Sequence, residues 1–376
     1  MNSTRIQNAL VFESCGRFVQ KDICMEDGLF TGTPSGNSSC LDASGLYAIP
    51  GLTDIHFHGC AGYDFCDGSR EAFSAIGNYQ LKHGITTIMP ATMSYSEEIL
   101  SPVLKEAGSY ESHAGSILCG IRLEGPFLSP AKKGAQNEAY LKAPDPALFL
   151  RLQKASGWNI RLVDLAPELD GAMEFIRLVR GKAVISLAHT EADYSTASLA
   201  YEQGASHTAH LFNAMPPFSH RAPGVIGAAF DHKNVTVELI CDGVHLHPCA
   251  VRAAFRLFGD QRICLISDSM MATGLPDGTY QLGGQEVSVR GPVASLRDGT
   301  LAGSVTNLMD CLRILVLSMG IPLESAVTCA AVTPAKVAGV YDQYGSIAPG
   351  KVANLILLDQ KLQIRAVFLR GRKTSL

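Results

Sequence analysis

The chain is poor in charge. Only 18% of its 376 residues are Asp, Glu, Lys or Arg, and the formal net charge is −4. No basic cluster interrupts that balance, so the electrostatic footprint of a nucleic-acid partner is missing. A continuous apolar run of about 18 residues, which a membrane span needs, is absent as well. The richest stretch, Leu312 to Met319, is short and holds Arg313. The start, Met1-Asn2-Ser3-Thr4-Arg5, leads into an alternating segment rather than a long apolar core, so no signal peptide is expected. The eleven cysteines include no CxxC pair. An odd count in a long chain fits a secreted disulfide framework poorly, and reduced thiols in the cytoplasm are the simpler expectation. Most of these thiols read as small buried hydrophobes.

What is present is a large apolar fraction, 47%, enough for a sizeable core. The length suits one barrel of about 250 residues plus a smaller module. Up to about residue 48 the chain reads as short strands, Ala9–Phe12 and 28–30, with a turn-rich patch at Gly32, Pro34, Gly36, Asn37 and Ser38. The last part is similar, with strand-like runs at 353–358 and 364–368. The two ends are expected to combine into one β module.

Between them, apolar strand-like runs alternate with helical stretches such as Glu71 to His83 and Pro167 to Val179. The strands are placed to end near Phe57, Met89, Leu123, Leu165, Ala188, His210, Ile240 and Ile266. Alternation argues for a parallel sheet, and eight repeats argue for a closed (β/α)8 barrel. Met270 to Ser304 breaks the rhythm; it is glycine-rich and reads as an inserted loop or hairpin, a candidate lid. The segment from Gly345 to Lys351 has the spacing of a phosphate-binding loop up to the lysine. Val352 stands where Ser or Thr is needed and a strand follows, so that reading is rejected.

The chemistry is concentrated at the strand ends. His56 and His58 lie two apart and point the same way along a strand, a natural metal pair. Such a pair can be incidental; at the start of a barrel, after the run from Pro50 to Asp54, it reads as a ligand pair. Glu124 ends an apolar strand, where a carboxylate is expensive unless paired or bound to a cation. It is either a salt-bridge partner of Arg122 or a site group, and the second reading is favoured. His189, His210 and Asp268 repeat the same placement on three further strands. His207 competes with His210, its alternative being a helix-cap or loop contact. Neutral imidazoles with a carboxylate suit zinc and similar divalent metals, and an open position on such a metal lowers the pKa of bound water toward about 7. Asp268 would take that proton and pass it to a leaving amine. His245, after the seventh strand, could polarise a carbonyl. Arg221 is either an anion holder or an ordinary surface charge.

These residues resemble the amidohydrolase superfamily and, within it, the N-acetylglucosamine-6-phosphate deacetylases. The matching stretches are PGLTDIHFHG, RLEGPFLSPAKKGAQN, LAHT, HTAHLFNAMPPFSHRAPG, ICDGVHLHP, SDSM, LAGS and GSIAPGKVANLILLD, from Pro50 to Asp359. HLFNAMPP and LEGPF are specific to the narrower family, whereas HxH is shared across the superfamily. The resemblance implies an α/β fold, a (β/α)8 TIM barrel over 49–344 with a small β-sandwich built from 1–48 and 345–376. It implies hydrolysis of the N-acetyl group of N-acetylglucosamine 6-phosphate to acetate and glucosamine 6-phosphate. Glu124, His189 and His210 would be the main metal ligands and Asp268 the acid/base. His245 would contact the acetamido carbonyl, Asn213 and Ala214 the phosphate through their backbone, and Ala135 and Leu301 the sugar. Arg221 would bind phosphate across a dimer interface, which implies a homodimer. The metal is expected to be zinc, with iron, manganese or cobalt as other candidates. Some relatives replace the two first histidines and bind one metal; with His56 and His58 both present, one or two are expected per subunit. Relatives also often carry His where this chain has Gln136, a phosphate contact that here lacks charge. The competing expectations are a related enzyme acting on another N-acetyl amino sugar, such as N-acetylgalactosamine 6-phosphate, and a non-catalytic barrel that serves as a binding protein.

Overall fold

The computed structural model describes residues 3–33, 38–112 and 114–375. Positions 34–37 of the expected turn-rich patch lie outside them. Strands from both ends of the chain share one eight-stranded sheet. Tyr47–Pro50 is its junction. It pairs in parallel with Ser3–Phe12 and antiparallel with Leu355–Leu358. Ile6, Val11, Ile23, Phe30, Leu355 and Phe368 bury the inner face of this sheet. Phe18–Glu26 and Ser39–Asp42 also belong to it. Their mixed polar composition, FVQKDICME and SCLD, hides them from a search for apolar runs.

The middle of the chain forms a curled parallel sheet whose strands alternate with helices. We label its strands β1 (Leu52–Asp54), β2 (Ile85–Ile88), β3 (Ile121–Leu123), β4 (Ile160–Leu165), β5 (Val184–Leu187), β6 (His207–Thr208), β7 (Thr236–Ile240) and β8 (Ile263–Ile266). β3 through β8 are hydrogen-bonded in sequence order. β2 lies between β1 and a short strand, Ile117–Leu118, that precedes β3. A bridge between Ala91 and Arg122 joins the β2 and β3 segments. At the other margin Asp268 N donates to His56 O at 2.9 Å and His58 N donates to Ser269 O at 2.7 Å. The first and last strands of the series therefore meet just beyond their regular ends. The near-continuous apolar runs of β4 and β8 are what a parallel sheet covered on both faces requires.

The helices begin where the sequence offers caps. Ser69 accepts from Ala72 N ahead of Arg70–Lys82, and Asp193 accepts from Thr196 N ahead of Tyr194–Gln203. Asp145 caps Pro146–Ala155, with proline in the first turn. The helix expected from Pro167 starts only at Ala172. Residues 167–171 turn instead: Glu168 is taken up by Thr190 Oγ1 and the Glu191 N–H, and Gly171 adopts φ +83°. The insertion resolves into a three-stranded antiparallel sheet, Gly278–Leu282, Gln285–Arg290 and Val293–Ser295. All eleven cysteines are free thiols. Among the described residues, no helix is long and apolar enough to cross a membrane.

Candidate metal centre and substrate cavity

Three site residues share one local geometry. His189, His210 and Asp268 each lie two residues beyond the last regular residue of β5, β6 and β8. His189 and Asp268 have φ of +44° and +49°, a left-handed backbone that non-glycine residues seldom adopt. That turn sends each side chain inward over the strand ends, where Glu124 arrives directly from β3.

Glu124 is the hub. Its Oε1 lies 3.2 Å from His56 Nε2, 3.3 Å from His189 Nε2 and 3.4 Å from His210 Nε2. Its Oε2 lies 3.2 Å from His58 Nε2 and accepts from Gln136 Nε2 at 2.8 Å. Two groups could hold a metal ion, His56-His58-Glu124 and Glu124-His189-His210, each with ligand atoms within 4.8 Å of one another. Orientation supports this. His189 Nδ1 donates to Lys132 O at 2.8 Å, and His210 Nδ1 to Asn213 O at 3.2 Å. His56 Nδ1 donates to Glu238 Oε2 at 2.8 Å. Since a carbonyl or carboxylate oxygen only accepts, each ring carries its proton on Nδ1 and turns Nε2 toward the centre, the arrangement that fixes metal-binding histidines. His56 Nε2 is buried without a hydrogen bond, and the Nε2 atoms of His189 and His210 stand 3.2 Å apart. Bare nitrogens facing one another around a carboxylate fit a divalent cation.

The electrostatics agree. Burial pushes the Glu124 carboxyl up, but the facing imidazoles, His56 first and then His189 and His210, outweigh it and hold it well below the usual carboxylate range. Burial lowers His58, yet hydrogen bonds to Asp268 and Glu124 push it up to about 9. The cluster draws positive charge. Asp268 Oδ1 sits 3.4 Å from His58 Nε2 and 3.8 Å from His56 Nε2. Burial raises Asp268, but its bond to His58 and the charges of His56 and His58 leave it below its ordinary value, hence an ionised acceptor.

A cavity of about 380 Å³ opens onto this cluster. His58, Glu124, His189, His210, Asp268, His245, Ala135, Gln136, Asn213, Ala214 and Leu301 all line it. His56 lies fully buried beneath it. Arg221 is exposed and is not among the residues lining its own chain's cavity. His245 is held by Asp242, Nδ1 to Oδ2 at 2.7 Å. Gln136 is largely committed: its oxygen accepts from Ser94 N at 2.8 Å while its amide group serves Glu124. The insertion supplies a wall. Leu282 lines the cavity, and Gln285 Nε2 donates to Ala135 O at 2.6 Å.

Below the cluster lies a polar layer that pattern reading missed. Arg122 does not pair with Glu124. Its guanidinium grips Asp164 through Nε at 2.6 Å and Nη2 at 2.7 Å and reaches Glu238 through Nη1. His207 is neither a ligand nor a cap contact; it bridges Thr236 Oγ1 and Glu238 Oε1. The available signal was a lone carboxylate within each of the apolar runs IRLVDL and TVELI.

The amidohydrolase family matches residues 47–374. The N-acetylglucosamine-6-phosphate deacetylase of Bacillus subtilis (strain 168) is 39% identical over 329 residues, covering 86% of this chain and 83% of its own. The N-acetylgalactosamine-6-phosphate deacetylase of Escherichia coli O157:H7 is 32% identical and covers 87% of each chain. Among solved structures, a variant N-acetyl-D-glucosamine-6-phosphate deacetylase from Mycobacterium smegmatis, in complex with N-acetyl-D-glucosamine-6-phosphate, superposes with a TM-score of 0.92 at 29% identity, over 99% of both chains.

Proposed function

We propose, from the premise that the chain belongs to the amidohydrolase family, that it deacetylates N-acetylglucosamine 6-phosphate to glucosamine 6-phosphate and acetate. The observation that carries this is the convergence of four imidazoles on Glu124 with Asp268 at their edge, at the floor of a cavity sized for a sugar phosphate. Relatives whose names carry this activity align along most of the chain.

In this reading the curled sheet is a (β/α)8 barrel over 49–344, and the terminal sheet is a β-sandwich module made of 1–48 and 345–376. Glu124, His189 and His210 hold the principal metal, and His56 and His58 with Glu124 hold a second. Zinc is the preferred ion, with iron, manganese and cobalt the alternatives to test. When bound, such an ion acts as a Lewis acid toward the amide carbonyl and lowers the pKa of water. Asp268 takes up the proton of the attacking water and returns it to the leaving amine. His245, oriented by Asp242, donates Nε2–H to the acetamido carbonyl. Ala135 and Leu301 pack on the sugar, and Gln136, whose amide group donates to Glu124 Oε2 and to Met93 Sδ, lines the cavity beside it. Asn213 and Ala214 offer backbone to the phosphate. Arg221, exposed and outside the lining of its own chain's cavity, serves the phosphate of a partner subunit in a cytoplasmic homodimer.

The test is acetate release from a substrate panel. Turnover of N-acetylglucosamine 6-phosphate above both N-acetylgalactosamine 6-phosphate and unphosphorylated N-acetylglucosamine is expected. Preference for the galactosamine sugar would move the chain to the activity named for its Escherichia coli relative, and no turnover of any would overturn the reading.

A further inference from the structure

Glu238 sits in β7 with no exposed surface, under the cavity floor. Its carboxylate is saturated with donors. Oε1 accepts from Arg122 Nη1 and from His207 Nε2 at 2.9 Å. Oε2 accepts from His56 Nδ1 at 2.8 Å and from the backbone N–H of His210 at 3.1 Å. One buried side chain thus touches a histidine from each candidate metal group. We infer that Glu238 is a positioning residue that makes His56 a metal ligand, and that the Arg122-Asp164-His207 frame holds it in register for that task. The inference rests on the proposed reading of His56-His58-Glu124 as a second metal position.

The physical case turns on donors and acceptors. An ionised carboxylate accepts on both oxygens, so His56 must present Nδ1–H to it and keep Nε2 bare. Arg122 is fixed by its two bonds to Asp164 and cannot follow a change at 238. In the variant Glu238→Gln, Arg122 and His207 both donate to the near side, which commits the amide oxygen there. The NH2 group is then forced onto the side of His56 and the His210 N–H. Facing a donor, His56 accepts at Nδ1 and moves its proton to Nε2, the atom aimed at Glu124. The ring keeps its place but loses its lone pair toward the metal. Arg122 keeps Asp164 as a counter-charge, so the frame stays electrically balanced and the fold is expected to survive.

The experiment counts metal on wild type, Glu238→Gln, Glu238→Asp and His56→Asn. Each is reconstituted with cobalt(II), dialysed and titrated by visible absorption. Glu238→Asp keeps the charge for Arg122 but is one methylene short of His56. Wild type is expected to take two ions, and His56→Asn one. Glu238→Gln should lose the second ion or bind it about 10–100-fold more weakly, the range typical of lost outer partners. Glu238→Asp should fall between, and metal-free melting temperatures should stay close to wild type. Two ions at unchanged affinity in Glu238→Gln, with one in His56→Asn, would overturn the inference alone. A single ion in wild type, unaffected by His56→Asn, would instead remove the second metal position and the inference with it. Should Glu238→Gln not fold, Glu238→Asp decides by the same count.

Discussion

Gln136 donates its amide hydrogen to Glu124 Oε2 at 2.8 Å, and both side chains are buried. The carboxylate on which four imidazoles converge is therefore held from the cavity side by a neutral residue. Replacing it by alanine frees Glu124 to rotate. Gln136→Ala is expected to weaken metal binding by about 10–100-fold. Equilibrium dialysis against a metal buffer measures this, and an affinity within twofold of wild type would show that Glu124 needs no such anchor.

His245 and Asp242 set a pH dependence. Burial lowers His245, but its hydrogen bond with Asp242 and that carboxylate's charge raise it above the ordinary imidazole value. Burial raises Asp242, yet the hydrogen bond and charge of His245 hold it below its own ordinary value. The histidine contribution to stability is full below about pH 6.5 and fades as pH rises through the raised value. The aspartate contribution is full above about pH 3.9 and fades as pH falls through the lowered one. The pair is thus complete from about pH 4 to 6.5. In Asp242→Asn, His245 loses that hydrogen bond and charge and should give up its proton at lower pH. The alkaline limb of the kcat/KM profile should move to lower pH; a limb that stays in place would exclude His245 as its origin.

Arg122 compensates two buried carboxylates, Asp164 and Glu238. Arg122→Met leaves both without their guanidinium and should cost about 3–5 kcal/mol, as breaking a buried pair does. Urea unfolding of the metal-free protein reads the loss, and a cost under about 1 kcal/mol would mean the histidines alone satisfy the carboxylates.

Asp268 is the assigned proton carrier. Asp268→Asn keeps the side-chain volume and should lower kcat by about 10²–10⁴-fold, the span of general acid–base catalysis. Metal content should be unchanged, because neither candidate metal group includes Asp268. Turnover near wild type would take the role away from it.

The candidate site was legible because its residues break a pattern: polar groups just beyond the ends of largely apolar strands, as with Asp268 two residues after ICLI. The strand-to-helix alternation was legible for the same reason, apolar runs being long enough to stand out. Glu238 and Asp164 were not, because a carboxylate inside an apolar run announces a cost but not its partner. That partner, Arg122, lies 42 residues from Asp164 and 116 from Glu238. Local turns escaped too. Nothing in Pro167-Glu168-Leu169 reveals that Thr190 and Glu191 will claim the Glu168 carboxylate and delay the helix to Ala172. The insertion showed its glycines but not the pairing that makes it a cavity wall.

The central claim is that this cluster performs metal-dependent deacetylation of a phosphorylated amino sugar. Acetate release from N-acetylglucosamine 6-phosphate measures it on the purified protein, after chelation, and after return of zinc, iron, manganese or cobalt. Activity is expected to vanish with the metal and to return with one of these ions in proportion to the metal counted per chain. Acetate release that persists undiminished in fully stripped protein, or that no ion supports, would contradict it.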